Sequence, residues 1–373
     1  MTALHPIDGA DARAVQAALP AALDGSRPLA LGFVPDAGDT VPDGTAVVIA
    51  TSGSSGIPKR VVLSADALRA SGEATAARIG QGQWMLALPA GYVAGLQVLA
   101  RSLAAGERPV VLEGRFTPEA FVGATAAMHS GRRYTSLVPA QLRTLLDAAD
   151  DLPAVRSALA AYDAILIGGQ WLEHHQRDRA EELGARIVST YGSSETSGGC
   201  VYDGVPLDGV RVASVDGELR IAGPTLASGY LGDDELTGRV FGTDADAVRW
   251  YRTGDAGGVT DGVVEVRGRI DNVIVSGGIN ISLDQVERIV RTVPGLEGAV
   301  VMAIPDERWG EASEIFVAHG AFDPEQALHE ARARVAAELG KHARPVGLES
   351  SPELPMLASG KPDREMLRRM ILD

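Results

Sequence analysis

Ala50-Thr51-Ser52-Gly53-Ser54-Ser55-Gly56-Ile57-Pro58-Lys59-Arg60 is the stretch from which the rest of the chain can be read. It follows a Val/Ile run at 46–50 and packs small hydroxyls and glycines ahead of a lysine. Glycines let a backbone approach an anion closely, hydroxyls and N–H groups donate to its oxygens, and a lysine supplies charge. The spacing differs from G-x-x-x-x-G-K-[ST], because Ile57-Pro58 separates the last glycine from the lysine. Taken alone, the stretch reads either as a phosphate cradle or as a Ser/Gly surface turn.

Outward from it, short apolar runs recur at 46–50, 84–88, 109–112, 165–167 and 187–189, with Ala-rich segments between them. That alternation predicts buried strands crossed by helices, an α/β fold with a largely parallel sheet. From about Val210 the texture changes to strand-like pieces divided by glycine turns, at 217–221, 229–231, 250–252 and 263–266. These predict a small antiparallel sheet or barrel appended to the first domain. Beyond Arg269 the strand and helix signals start afresh. The expected organisation is a large domain over 1–270 and a small α+β domain over 271–373.

The composition, 45% hydrophobic and 22% charged over 373 residues, is that of a globular protein and excludes disordered and collagen-like classes. One cysteine, Cys200, excludes a disulfide framework and a multi-cysteine metal site. The start lacks a basic then apolar leader. The longest apolar stretch, 85–100, is broken by Pro89, Gly91, Gly95 and Gln97 and is shorter than the roughly 20 residues of a membrane helix. A cytoplasmic protein without an integral membrane segment is expected. A net charge of −15 argues against nucleic acid and requires any nucleotide site to build its own positive patch. Only three of the 34 basic residues are lysine: Lys59, Lys341 and Lys361. In so arginine-rich a chain, Lys59 and Lys361 stand out as places where a compact, mobile ammonium is needed.

Four further patches accompany the first. Thr190-Tyr191-Gly192-Ser193-Ser194-Glu195-Thr196 follows the run at 187–189, at a strand's carboxyl end where open α/β sheets bind ligands. Upstream, and belonging with this patch, Gly168-Gly169 ends the run at 165–167 in the same way. Tyr251-Arg252-Thr253-Gly254-Asp255 and Arg267-Gly268-Arg269-Ile270-Asp271-Asn272 place carboxylates and arginines where a nucleoside could be held. Ser359-Gly360-Lys361-Pro362 sets a lysine between a flexible and a rigid residue. His174-His175-Gln176-Arg177-Asp178 superficially matches H-H-x-x-x-D-G, but its aspartate is one residue early, so a solvated helix face is the better reading. Neither G-x-S-x-G nor G-x-G-x-x-G occurs. Cys200 reads as a buried small hydrophobe or an isolated thiol.

In this order the five patches resemble the adenylate-forming superfamily of acyl-CoA synthetases, peptide-synthetase adenylation domains and luciferases, over Thr51 to Lys361. The resemblance implies ATP, Mg²⁺ and coenzyme A. Thr51, Ser52, Gly53, Ser54, Ser55, Gly56 and Lys59 would grip the ATP phosphates, with Gly168 and Gly169 beside the flat ring. Tyr191 and Gly192 would face adenine, Ser194 would stand for the family's usual threonine on the α-phosphate, and Glu195 would hold Mg²⁺. Asp255 would bind the ribose hydroxyls helped by Arg269. Asp271 would be the interdomain hinge, Ser276, Gly277 and Gly278 would face the pantetheine arm, and Lys361 would be the adenylation lysine.

Within the superfamily the chain most resembles the 2-succinylbenzoate–CoA ligases of menaquinone biosynthesis, in their short actinobacterial form. Residues 136–142 and 195–209 carry that likeness, with the short lead before residue 51. The lead implies a shortened N-terminal subdomain and favours a homodimer that covers the exposed sheet. Tyr92, Gly95 and Gln97 would line the acyl pocket. Arg143 is a candidate for a distal carboxylate, although relatives place their arginine one position later, where Thr144 stands here. A solvated helix arginine is an equal reading. Three alternatives stay open: another carboxylic acid, a carrier protein as acceptor, and a nucleotide-binding relative without activity.

Overall fold

Parallel strands need crossovers of a dozen or more residues, and an uninterrupted series of helices supplies them here. The computed structural model describes residues 2–51, 58–129, 131–357 and 360–372. They group into two compact units, one of Met1–Ala213, Arg220–Thr253 and Val259–Val264, the other of Ser214–Leu219, Gly254–Gly258 and Glu265–Asp373.

In the first unit a seven-stranded sheet runs Val205–Pro206, Gly198–Tyr202, Ile187–Ser193, Ala164–Ile167, Arg133–Leu137, Gln83–Leu86, Val110–Val111. From Ile187–Ser193 to Val110–Val111 every pairing is parallel. The two strands at the other end are antiparallel. The helices Val93–Ala104, Pro118–Ala126, Pro139–Ala148, Pro153–Ala160 and His174–Glu182 connect the parallel strands. Three of them begin at proline, which has no N–H to leave unpaired in a first turn. Met85, Leu137, Ile165, Ile167 and Ile187 from the sheet meet Phe121, Leu142, Leu145, Val155 and Leu159 from the helices in one buried cluster.

The run at 46–50 does not join that sheet, which departs from the expectation of a single, largely parallel one. Its strand, Thr45–Thr51, lies in a second, mixed sheet of order Gly229–Tyr230, Lys59–Ser64, Thr45–Thr51, Leu29–Leu31, His5–Ile7. Thr45–Thr51 pairs antiparallel with Lys59–Ser64, and Thr51 lies opposite Lys59. The seven residues 52–58 are too few for a parallel crossover, and the β-branched run Val61-Val62 makes a second strand at once. Gly229–Tyr230 pairs with the far side of Lys59–Ser64 instead of entering the glycine-divided sheet expected after Val210. That later region does form the strands Arg211–Val215, Glu218–Ala222, Phe241–Thr243, Arg249–Thr260 and Val263–Arg269. Asp261-Gly262, with φ of 51° and 79°, makes the two-residue turn that suits strand twist.

The second unit holds the sheet Ile279–Ser282, Val273–Ser276, Gly310–Ala318, Val300–Asp306, with Gly347–Ser351 added parallel to Gly310–Ala318. Side chains alternate across it. Val301, Ile315 and Val317 face the helices Leu283–Val290 and Pro324–Leu339 through Val286, Val290, Ala331 and Val335. Val300, Met302 and Phe316 face Leu367 of the helix Arg364–Leu372.

Phe121 is fully buried and within 5.6 Å of the Tyr162 ring, centroid to centroid. Phe121→Ala is expected to lower unfolding free energy by about 3–5 kcal/mol, read from denaturant titration of the first unit.

Candidate active site

The carboxyl ends of two neighbouring parallel strands carry the first group of residues. Ile167 lies beside Ser189, so Gly168-Gly169 leave the sheet next to Thr190-Tyr191, which stay paired with Val201 and Tyr202. A Cβ on Gly168 would meet Thr190 Oγ1 at 2.4 Å, and that hydroxyl donates to the Ile167 carbonyl at 3.2 Å. After Tyr191 the chain turns sharply. The Ser193 N–H donates to Thr196 Oγ1 at 2.9 Å, and Thr196 Oγ1 donates to the Gly198 carbonyl at 2.7 Å. Ser197 takes a left-handed φ of 54°, and Gly198–Tyr202 runs back antiparallel. Gly192 is obligatory in that reversal, since a Cβ would lie 2.2 Å from the Gly198 carbonyl oxygen. The turn Ser194–Thr196 thereby presents Ser194 and Glu195 at the sheet's end.

Glu195 is 9% exposed, and its Oε1 accepts from the Tyr230 hydroxyl at 2.9 Å. Its backbone carbonyl accepts from the Ala227 N–H at 2.8 Å, so the segment leading into Tyr230 also holds the turn. The Lys59 ammonium lies 5.9 Å from the centre of the Tyr230 ring, within cation–π range. Thr51 Oγ1 donates to the Lys59 carbonyl at 3.3 Å. Lys59 and Glu195, distant in sequence, thus meet at one tyrosine, with Thr51 beside Lys59. Sequence patterns do not single out Tyr230, whose only signal is an aromatic between Gly229 and Leu231. Ser52, Gly53, Ser54, Ser55, Gly56 and Ser359 lie outside the described residues.

The helix Val93–Ala104 begins at Tyr92 and approaches so closely that a Cβ on Gly95 would meet the Pro89 carbonyl oxygen at 2.2 Å. Gln97 is 1% exposed. Its Nε2 donates to the Ser197 carbonyl at 2.8 Å, which ties this helix to the turn after Glu195. Its Oε1 is buried and lacks a hydrogen-bond partner among the described residues. Arg143, on the helix Pro139–Ala148, is half-buried and makes neither a hydrogen bond nor an ion pair among the described residues.

In the second unit, one guanidinium joins two of the singled-out carboxylates. Arg269 Nε and Nη2 donate to the two oxygens of Asp271, each at 3.0 Å, and Nη1 donates to Asp255 Oδ1 at 3.2 Å. Its hydrogen bond with Asp271, and after that the charge of Asp255, push the guanidinium further up from a range already beyond titration. Ser276 ends a strand whose hairpin turn, Gly277-Gly278, has φ of 56° and 82°. Trp309, which no sequence motif marks, packs on that turn: a Cβ on Gly277 would lie 2.8 Å from its ring. Lys361 is exposed on a turn in which the Leu357 N–H donates to its carbonyl at 2.8 Å.

Two discarded signals are accounted for. His174 and His175 are exposed at the start of a helix. Cys200 is wholly buried, and burial pushes its thiol up to about 12.

Among the described residues there is no cluster of three or more His, Cys, Asp or Glu. A single carboxylate suits Mg²⁺, which keeps waters and takes substrate phosphates as its other ligands. Glu195 fits that mode, as a nearly buried carboxylate at a strand's end with one oxygen steadied by the Tyr230 hydroxyl.

The chain belongs to the AMP-binding enzyme family: residues 8–231 match that family, and 285–361 match the AMP-binding enzyme C-terminal domain. Members form an acyl-adenylate with ATP and then a CoA thioester. A probable 2-succinylbenzoate–CoA ligase of Mycobacterium tuberculosis is 39% identical over 99% of this chain and 98% of its own. A medium-chain fatty-acid–CoA ligase of Escherichia coli is 31% identical over 88% of this chain and 62% of its own. The o-succinylbenzoate CoA synthetase of Bacillus subtilis, solved with its acyl-adenylate intermediate, superposes with a TM-score of 0.73. It is 25% identical and covers 87% of this chain and 69% of its own.

Tyr230→Phe keeps the ring under Lys59 and removes the bond to Glu195. Adenylate formation is expected to fall about tenfold, with a raised apparent KM for ATP, by initial rates of pyrophosphate release. A second expectation concerns Cys200: in the folded protein at pH 8 it should resist a thiol-reactive chromogen and react fully only after denaturation, as the absorbance reports.

Proposed function

We propose that the chain joins 2-succinylbenzoate to coenzyme A at the expense of ATP, forming 2-succinylbenzoyl-CoA, AMP and pyrophosphate. The observation that carries this reading is the 39% identity to the mycobacterial ligase across nearly the whole of both chains. The fatty-acid ligase, by contrast, is covered over only 62% of its own length.

In the first half-reaction an oxygen of the substrate carboxylate attacks the α-phosphorus, and the bond to pyrophosphate breaks. No side chain has to become a nucleophile. The protein must orient the groups and neutralise charge that grows on the phosphoryl oxygens. Lys59, held over Tyr230, and the hydroxyls of the 51–56 stretch serve the leaving pyrophosphate. Ser194 donates to the α-phosphate, Tyr191 stacks on adenine, and Asp255 receives the ribose hydroxyls with Arg269 beside it. Glu195 would hold Mg²⁺, which would supply further positive charge beside the phosphate oxygens. Lys361 supplies the mobile charge of this step. In the second half-reaction the thiol of coenzyme A loses its proton and attacks the acyl carbonyl, and AMP leaves. Ser276-Gly277-Gly278 would face the pantetheine arm, and Asp271 would be the interdomain hinge. Activity in the cytoplasm fits a soluble substrate set.

A second reading keeps the chemistry and changes the acid. Arg143 is unanchored and one position from the place relatives use, so the cation for a second carboxylate is not secured there. Purified protein with ATP, Mg²⁺ and coenzyme A, offered 2-succinylbenzoate, benzoate and medium-chain fatty acids, tests both readings by mass spectrometry. Thioester from 2-succinylbenzoate alone is expected. Thioester from another acid replaces the substrate, and absence of AMP with every acid defeats the enzymatic reading. Lys361→Ala should abolish adenylate formation while leaving ATP binding by calorimetry nearly intact.

A further inference from the structure

Lys361 is carried on a turn closed by its own backbone. The Leu357 N–H donates to the Lys361 carbonyl and the Asp363 N–H to the Pro355 carbonyl, each at 2.8 Å, while Met356 and Pro362 form an isolated bridge. Such bonds set the shape of the turn, and the segments on either side of it are tied to the sheet: Leu354 before it packs against Val300, Met302, Phe316 and Leu367, and the helix beyond it reaches the edge strand.

Arg364 comes three residues after the lysine, at the first position of the helix Arg364–Leu372. It reaches the strand Val300–Asp306, which lies at the edge of the second unit's sheet and pairs with Gly310–Ala318 alone among the described strands. Val301 therefore turns an N–H and a carbonyl away from the sheet. Glu287 Oε2 accepts the Val301 N–H at 2.9 Å, and Arg364 Nη1 donates to the Val301 carbonyl at 2.8 Å. The two side chains meet, Arg364 Nη2 to Glu287 Oε2, at 2.5 Å. A carboxylate from one helix and a guanidinium from another thus make the bonds that a neighbouring strand would make.

Glu287 has a second partner, Arg291, whose Nη2 lies 2.8 Å from Oε1. Both are nearly buried, with side chains 11% and 12% exposed. Loss of Arg364 would leave Glu287 neutralised by Arg291 and bonded to Val301, so no buried charge is stranded. The loss would fall on the tie between the sheet edge and the segment that begins at the lysine. Leu367, buried against Val300, Met302 and Phe316, anchors the helix one turn further on but does not fix its first residues.

We infer that Arg364, held by Glu287 and the Val301 backbone, is a positioning residue for Lys361 in the adenylation step. The inference rests on the assignment of Lys361 to that step. It separates the two half-reactions, because the role proposed for the lysine lies in the first alone.

The experiment measures them separately in the full-length protein: single-turnover adenylate formation from acid and ATP, and thioester formation from prepared acyl-adenylate and coenzyme A. Arg364→Met is expected to slow the first by roughly 10- to 100-fold and to leave the second within about twofold. Arg364→Lys, able to reach Glu287 or the Val301 carbonyl but not both, should recover part of the rate. Glu287→Gln, which keeps an acceptor for the Val301 N–H, should act in the same direction. Equal loss in both half-reactions would make the pair a plain anchor of the fold and overturn the inference, as would an unchanged first step. If the wild type adenylates an acid other than 2-succinylbenzoate, the comparison is made with that acid and the substrate assignment alone falls. If Lys361→Ala retains adenylation, the inference falls with that assignment.

Discussion

The strand Lys59–Ser64 is bonded on both edges, to Thr45–Thr51 on one and Gly229–Tyr230 on the other, and the site depends on that double pairing. The first pairing brings Thr51 and Lys59 together at the ends of the 52–58 connection. The second sets Tyr230 beside the same lysine. Because Tyr230 in turn bonds Glu195, the two sheets of the first unit are joined at the proposed phosphate site. A strand slipped by one residue would turn Lys59 and Tyr230 to opposite faces, so in the proposed site register would bear on function as well as on structure.

Electrostatics explain why the joint is built from a phenol. A nearly buried carboxylate is costly unless something donates to it, and a lysine in direct contact would consume the charge that both groups owe to the ligand. The tyrosine hydroxyl satisfies one oxygen of Glu195 without cancelling its charge, while the ring face attracts Lys59 only weakly. In the proposed site both ions would keep their charge for the ligand. The chain's large negative charge makes such local economy necessary, since nothing at long range draws a polyanion in.

The sequence is informative where local physics suffices. The runs at 165–167 and 187–189 are parallel neighbours, and the strand and helix signals beyond Arg269 do form a unit of strands and helices, Pro324–Leu339 among them. The order of the motifs carries the family. Apolar runs report burial but not the partner strand, so nothing local to the run at 46–50 tells which sheet it joins, and nothing local to Tyr230 separates it from the glycine-divided strands around it. The roles of Trp309, Glu287 and Arg364 depend on contacts between distant segments and have no local signature. Arg269 is an intermediate case: its neighbours in sequence suggest a nucleoside site, but its grip on both Asp255 and Asp271 needs the folded chain.

The side chains lying along Val300–Asp306 have a consequence outside catalysis. An open strand edge offers a template on which other chains can add, and many proteins blunt it with charge. Glu287 and Arg364 occupy the outward N–H and carbonyl of Val301, so that part of the edge is closed to intruding strands. The C-terminal helix therefore serves as a selvedge for the small unit's sheet. A chain trimmed before Arg364 would expose an apolar, β-branched border, and its first failure would be self-association before unfolding.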